Sequence, residues 1–292
     1  MASNSNPAPI LFDRTLLRAR QNRAANMGAA TFRLDRVADD MADRVAAVLR
    51  TFQHAADIGT SGDQVRSALA ARVGAIMAVE LPTDEREALA LSPASLDLAV
   101  SALALQFVND LPGVLVQIRR ALKPDGLLLA ATLGGETLIE LRQAFAAAES
   151  ELEGGISPRV APFADLRDIG ALLQRAGFAL PVTDVDLVVV RYDGAFALMH
   201  DLRRMGATNI LTERRRTPLR RATLLRMAQI YGERFADSDG RIRATFDIVW
   251  LSGWAPHESQ PKPLKPGSAK ASREDAVKGR TSPSPRGGGC RE

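Results

Sequence analysis

The chain has 292 residues, 46% of them apolar, enough to bury the core of one large domain, and its only cysteine, Cys290, sits near the C-terminus, which excludes disulfides and thiol chemistry. No stretch approaches the ~18 uninterrupted apolar residues of a membrane span, and the N-terminus lacks the short apolar core of a secretory signal. The formal charge of +4 belongs to the end of the chain: from Pro261 onward eight Lys or Arg stand against three acids, which leaves residues 1–260 near −1 and removes the support for a general nucleic-acid-binding body.

Residues 1–33 read as an N-terminal arm. Asp13 interrupts its first arginine cluster, which argues against an organelle transit peptide, so a cytoplasmic protein is expected. Residues 34–52 form a helical stretch with Val37, Met41, Val45 and Val48 on one stripe, and residues 54–59 read as the first strand. A short helix over 64–71, a strand over 75–81 and another over 96–103 follow. Residues 114–122 are helical, and Lys123-Pro124-Asp125-Gly126 is a turn into the apolar run 127–132, short and unbroken as a strand buried on both faces should be. Helices are expected over 138–151 and 164–176, the second stopped by Gly177. A strand over 182–192, a helical insert over 196–235 and a final strand over 244–254 complete a domain spanning 34–260. Beyond it, residues 261–292 are rich in Ser, Pro, Gly, Lys and Arg and read as a disordered basic tail. Strands alternating with helices predict a doubly wound α/β domain with a mostly parallel sheet.

Several residues mark a candidate site. Asp57, Gly59 and Gly62 stand at a strand-to-helix turn, where glycine lets backbone approach a ligand, although an ordinary tight turn has the same composition. Glu80 ends the next strand, 23 residues after Asp57, where an acid can bind both ribose hydroxyls of a nucleoside or merely face solvent. Arg214, Arg215, Arg216, Arg220, Arg221 and Arg226 cluster in the insert, either as a solvated face or as a dock for an acidic protein or carrier domain. Trp250 and Trp254 read as core of the last strand. His54, His200 and His257 are far apart in sequence and lack metal-ligand spacing, so no metal site is expected; His257 beside Glu258 is the best acid–base candidate, and no catalytic base can be named.

The block Leu96-Asp97-Leu98-Ala99-Val100 through Gln106-Phe107-Val108-Asn109-Asp110-Leu111-Pro112, with Ile118-Arg119-Arg120-Ala121-Leu122-Lys123-Pro124-Asp125-Gly126, resembles the central block of class I methyltransferases. Phe12-Asp13-Arg14, Gly134-Gly135-Glu136-Thr137-Leu138, Glu153 to Pro158, and Gly253-Trp254 extend the likeness to one subfamily. That subfamily contains the mitochondrial complex I assembly factor with a methyltransferase fold and its bacterial relatives, and the malonyl-carrier-protein methyltransferase of biotin synthesis is a more distant cousin. The resemblance implies a seven-stranded sheet with its last strand antiparallel, and S-adenosylmethionine across the carboxyl ends of the first strands. Asp57, Gly59 and Gly62 then form the cofactor turn, Glu80 contacts the ribose, Glu85 stands on the adenine side, and Gln106 and Phe107 end the fourth strand beside the methyl group.

Two departures qualify what the resemblance implies. Ser61 and Asp63 stand where the family's turn has its second and third glycines. Only 40 residues separate Asp57 from Asp97, and a further crossover helix and strand need roughly 15 more. The likeness therefore leaves open a methyltransferase with an eroded cofactor motif, a non-methylating assembly factor, and a protein-arginine hydroxylase acting on a respiratory-complex subunit.

Overall fold

The computed structural model describes residues 10–84 and 86–261. Contacts divide the chain into a body ending at His257 and a segment from Glu258 onward. Of the expected tail only Pro261 is described; residues 262–292 lie outside the described residues.

The body opens with α1 (Arg14–Asn26), whose N-cap Asp13 accepts the Leu16 amide at 2.9 Å. It continues through α2 (Phe32–Ala47), β1 (Phe52–Ile58), α3 (Gln64–Leu69), β2 (Val73–Val79), β3 (Leu96–Ala102) and α4 (Leu111–Ala121). Then come β4 (Leu122–Leu133), α5 (Ile139–Glu153), α6 (Leu166–Arg175), β5 (Ala179–Tyr192), α7 (Ala195–Arg204), α8 (Arg221–Phe235) and β6 (Ile242–Trp254).

The sheet runs β2-β1-β3-β4-β6-β5. Its first four members are parallel, while β6 runs antiparallel to both neighbours. The expected run over 127–132 is the centre of β4, and its side chains alternate between two cores. Leu128 and Ala130 join Ile118, Ile169 and Leu173 under α4 and α6, whereas Leu127 and Leu129 join Val37, Met41 and Trp250 under α2. Lys123-Pro124-Asp125-Gly126 makes a bulge: Leu96 faces Leu122 and Leu98 faces Leu127, so the turn residues loop out of register. A third core forms where α5, α7 and α8 cover β5 and β6 through Phe145, Leu198, Tyr231 and Phe246.

The sheet has six strands among the described residues, not seven. The described residues of 80–95 carry neither helix nor strand, because this connection is too short for a crossover helix and a further strand. The insert over 196–235 holds two helices, α7 and α8. The N-terminal arm is anchored through Phe12 and Leu17, which pack on Ile210 and Leu211 of the chain between those helices.

Candidate cofactor cleft and adjoining hollows

β1 lies between the edge strand β2 and β3, and near its carboxyl end carries Asp57, 1% exposed. Arg66 of α3 donates to Asp57 Oδ2 at 2.8 Å and to the Gly62 carbonyl at 2.7 Å, bracing the turn from below. Asp57 Oδ1 is buried without a hydrogen-bond partner. Burial pushes the Asp57 pKa above the ordinary carboxylate value, with the Thr60 hydroxyl and the Arg66 guanidinium working against it.

The chain leaves the strand through Gly59 at φ +73°, where an added Cβ would lie 2.4 Å from Leu81 Cδ1. Only glycine fits both the backbone angle and the space. Gly62 is also left-handed, at φ +95°. Between them the Thr60 hydroxyl accepts the Ala102 amide at 3.0 Å, tying the turn to β3.

Above this turn lies a hollow of about 480 Å³, lined by Asp57, Gly59, Gly62, Glu80 and Phe107 and roofed by α1 through Arg14, Arg18 and Gln21. Its size falls within the ~300–1,000 Å³ of small-molecule sites. Five of the seven sequence-predicted residues meet here. Glu80 stands just past the end of β2 in an exposed ion pair with Arg18, 2.7 Å long. Glu85 lies outside the described residues.

Gln106 lines an adjoining hollow of about 230 Å³ that shares Ser61, Gly62 and Phe107 with the first. Its Nε2 donates to the Leu103 carbonyl at 2.6 Å, and its Oε1 is buried without a partner. Gln106 and Phe107 do not end a strand: Leu103, at φ +53°, turns the chain out of the ladder, and both residues sit on the 3-10 turn Leu105–Phe107 after β3. The Phe107 ring packs edge-on between Phe12 at 5.9 Å and Phe163 at 6.2 Å. It also lines a third hollow of about 540 Å³ between α5, α7 and the chain before α8, so all three hollows meet at this ring.

Sequence reasoning passes over three features. The first is the helical roof α1, whose signal is the N-cap Asp13. The second is Glu87, 1% exposed, which accepts Arg14 Nη1 at 2.8 Å, the Asn109 amide at 3.0 Å and the Asp110 amide at 2.7 Å, pinning α1 to the edge of the cleft. The third is the 540 Å³ hollow itself, reached by Arg33 and His200. Of the arginine cluster, Arg214, Arg215 and Arg226 pair with Asp13, Glu153 and Glu151, so half of it is spent inside the molecule. Trp250 is core, 2% exposed, with Arg44 over its ring at 4.3 Å. Among the described residues no group of three or more His, Cys, Asp or Glu is gathered as a metal site, and no helix is long and apolar enough to cross a membrane.

A family described as "Methyltransferase domain" matches residues 44–130, the segment that builds the cleft. A putative methyltransferase from Bacillus halodurans C-125 superimposes with a TM-score of 0.50 at 13% identity, covering 75% of this chain and 99% of that one, and shows the fold. Malonyl-[acyl-carrier protein] O-methyltransferase of Laribacter hongkongensis is 40% identical over 64% of this chain and 59% of its own length. The likeness to proteins named "Arginine-hydroxylase NDUFAF5, mitochondrial" is longer: 36% identity in Danio rerio over 92% of this chain and 90% of the relative, and 38% in Homo sapiens over 90% and 82%. With a six-stranded methyltransferase fold and whole-length similarity to these proteins, the chain belongs to the NDUFAF5 family.

Proposed function

We propose that the chain binds S-adenosylmethionine in the 480 Å³ hollow and transfers its methyl group to an acceptor entering beside Phe107. The observation that carries this reading is the meeting of Asp57, Gly59, Gly62, Glu80 and Phe107 at one hollow by the carboxyl ends of parallel strands, where doubly wound sheets bind nucleotides. Bound there, the cofactor supplies an electrophilic methyl group on a sulfonium. The chain supplies position. Gly59 and Gly62 keep Cβ atoms out of the approach, and Asp57 offers a buried carboxylate oxygen that lacks a donor. Glu80 exchanges Arg18 for the ribose hydroxyls, an exposed pair that costs little to open. Phe107 shields the reacting centre from water, and catalysis rests on alignment rather than on a named base. Ser61, Asp63 and the missing strand oppose tight binding, so an affinity toward the millimolar range, about 4 kcal/mol, is expected.

A second reading is favoured by the similarity over nine-tenths of the chain to proteins named arginine-hydroxylase. In it the chain hydroxylates an arginine of a partner protein, with dioxygen as oxidant and a two-electron reductant as co-reactants from outside the chain, or assists assembly of a respiratory complex without methylating. In either reading an acidic partner or carrier domain meets Arg216, Arg220 and Arg221, which are exposed and form no ion pair among the described residues.

Isothermal titration with S-adenosylmethionine and S-adenosylhomocysteine into the millimolar range tests the cofactor site. Binding that weakens about tenfold or more in Glu80→Gln supports it; no heat of binding refutes it. Mass spectrometry of candidate acceptors then separates the readings, because transfer adds one methylene and hydroxylation one oxygen.

A further inference from the structure

The 540 Å³ hollow has an unusual charge distribution. Its walls are apolar, with Leu141, Phe145, Phe196 and Met199 among them, yet six arginines line it and no aspartate or glutamate does. Three of the six have partners: Arg159 with Glu149, Arg214 with Asp13 at 3.3 Å, and Arg215 with Glu153 at 2.6 Å. Arg20 donates to the Asn209 carbonyl. Burial lowers the pKa of Arg20, and nearby Arg214 and Arg23 lower it further against the opposing charge of Asp13. Arg203 stands exposed and forms no ion pair among the described residues.

Arg33 is the sharpest case. It sits at the second position of α2, is 7% exposed, and reaches both this hollow and the smaller one beside Ser61 and Gly62. It makes no hydrogen bond or ion pair to the described residues, and its Nε is buried without an acceptor. The Phe246 ring lies 4.6 Å from the guanidinium carbon, and Tyr192 is a second neighbour that favours its charge. Burial, opposed by Tyr192, brings its pKa down to about 10, so it keeps its proton at neutral pH. A buried guanidinium with unused donors at the end of an apolar hollow suits an anion, above all a flat oxyanion that takes two parallel N–H bonds. A cationic ligand, an arginine side chain included, would be repelled.

We propose that this hollow is an oxyanion site, in which Arg33, with Arg203 at the rim, binds the carboxylate or phosphate head of a ligand whose apolar arm lies along Leu141, Phe145 and Met199. That the ligand is the methyl acceptor rests on the cofactor reading above; the binding itself does not. An acceptor held here has its head at Arg33, which also lines the smaller hollow beside Ser61 and Gly62.

The test is titration of the full chain, without cofactor, with octanoate, octyl phosphate and octylammonium. One or both anions should bind and octylammonium should not. Octanoate alone identifies a carboxylate ligand, and a tighter octyl phosphate identifies a phosphate. Arg33→Met should weaken the anion about tenfold or more, Arg33→Lys should restore part of it, and Arg203→Gln should weaken it a few-fold. Failure of both anions, equal binding of octylammonium, or unchanged affinity in a folded Arg33→Met overturns the proposal. Should Arg33→Met not fold, unchanged affinity in Arg203→Gln does so. A parallel S-adenosylmethionine titration keeps the readings apart: anion binding without cofactor binding sinks only the transferase, and the reverse sinks only the anion site.

Discussion

Replacing Glu87 with glutamine should unlatch α1 from the cleft. Glu87 and Arg14 have side chains only 2% and 6% exposed and lie 2.8 Å apart, so solvent screens the pair little. Removing one charge from such a pair leaves the other buried and uncompensated, at a cost of about 3–5 kcal/mol. Glutamine keeps one carbonyl oxygen but cannot also receive the Asp110 amide now bonded to Oε2 at 2.7 Å, a loss within the same range rather than on top of it. At ~2–4 °C per kcal/mol for a domain of this size, the melting temperature should fall by roughly 6–20 °C. Thermal and urea unfolding of Glu87→Gln, Arg14→Met and the double variant form a cycle. Coupling above about 2 kcal/mol is expected, because the double variant has no stranded charge. A single-variant loss under about 1 kcal/mol, or additive losses, would refute the claim that this pair holds the roof.

Three further outcomes follow from the same geometry. The Asp57 pKa is raised in the folded state, so its contribution to stability is fullest below the ordinary value of 3.8 and is lost as pH rises through the folded value; Asp57→Asn should flatten that part of the urea-midpoint profile, and an unchanged profile would contradict it. Gly59→Ala should cost about 1–3 kcal/mol through its φ of +73° and the collision with Leu81, and should abolish S-adenosylmethionine binding in calorimetry even where the protein stays folded. Leu128→Ala, at a site 0% exposed in the sheet centre, should cost about 2–5 kcal/mol in urea unfolding and leave cofactor affinity within a few-fold of the parent.

The framework of the fold is legible in the sequence because strands buried on both faces read as unbroken apolar runs. The stretch over 127–132 has no other reading once the turn before it is recognised. The missing strand is legible too, as a distance: the chain between Asp57 and Asp97 is too short for another crossover. The glycine turn and Glu80 follow from spacing, since a strand end and the next strand end lie side by side in a parallel pair. What stays hidden depends on contacts far apart in sequence. In α1 only Arg14, Leu17 and Ala24 are buried, and its arginines look like a solvated surface until Glu87 is seen to turn inward at φ +45° among other acids. Arg33 likewise reads as an ordinary helix charge, because Phe246 of β6, the ring it lies over, comes more than 200 residues later.

The anchoring of α1 has a consequence for synthesis. The helix leaves the ribosome before its anchor: Ile210 and Leu211, the residues that Phe12 and Leu17 pack against, follow about 200 residues later. At ~5–20 residues per second, that is a delay of roughly 10–40 s. During this interval β1, β2 and their glycine turn can already have paired, yet the ceiling above them is held only through Glu87 and Asn109. The packing of Phe12 and Leu17 that completes the ceiling is therefore made only after the chain between α7 and α8 has been synthesised, and a nascent chain stalled before Ile210 should expose the glycine turn more readily to solvent, to chaperones and to proteases.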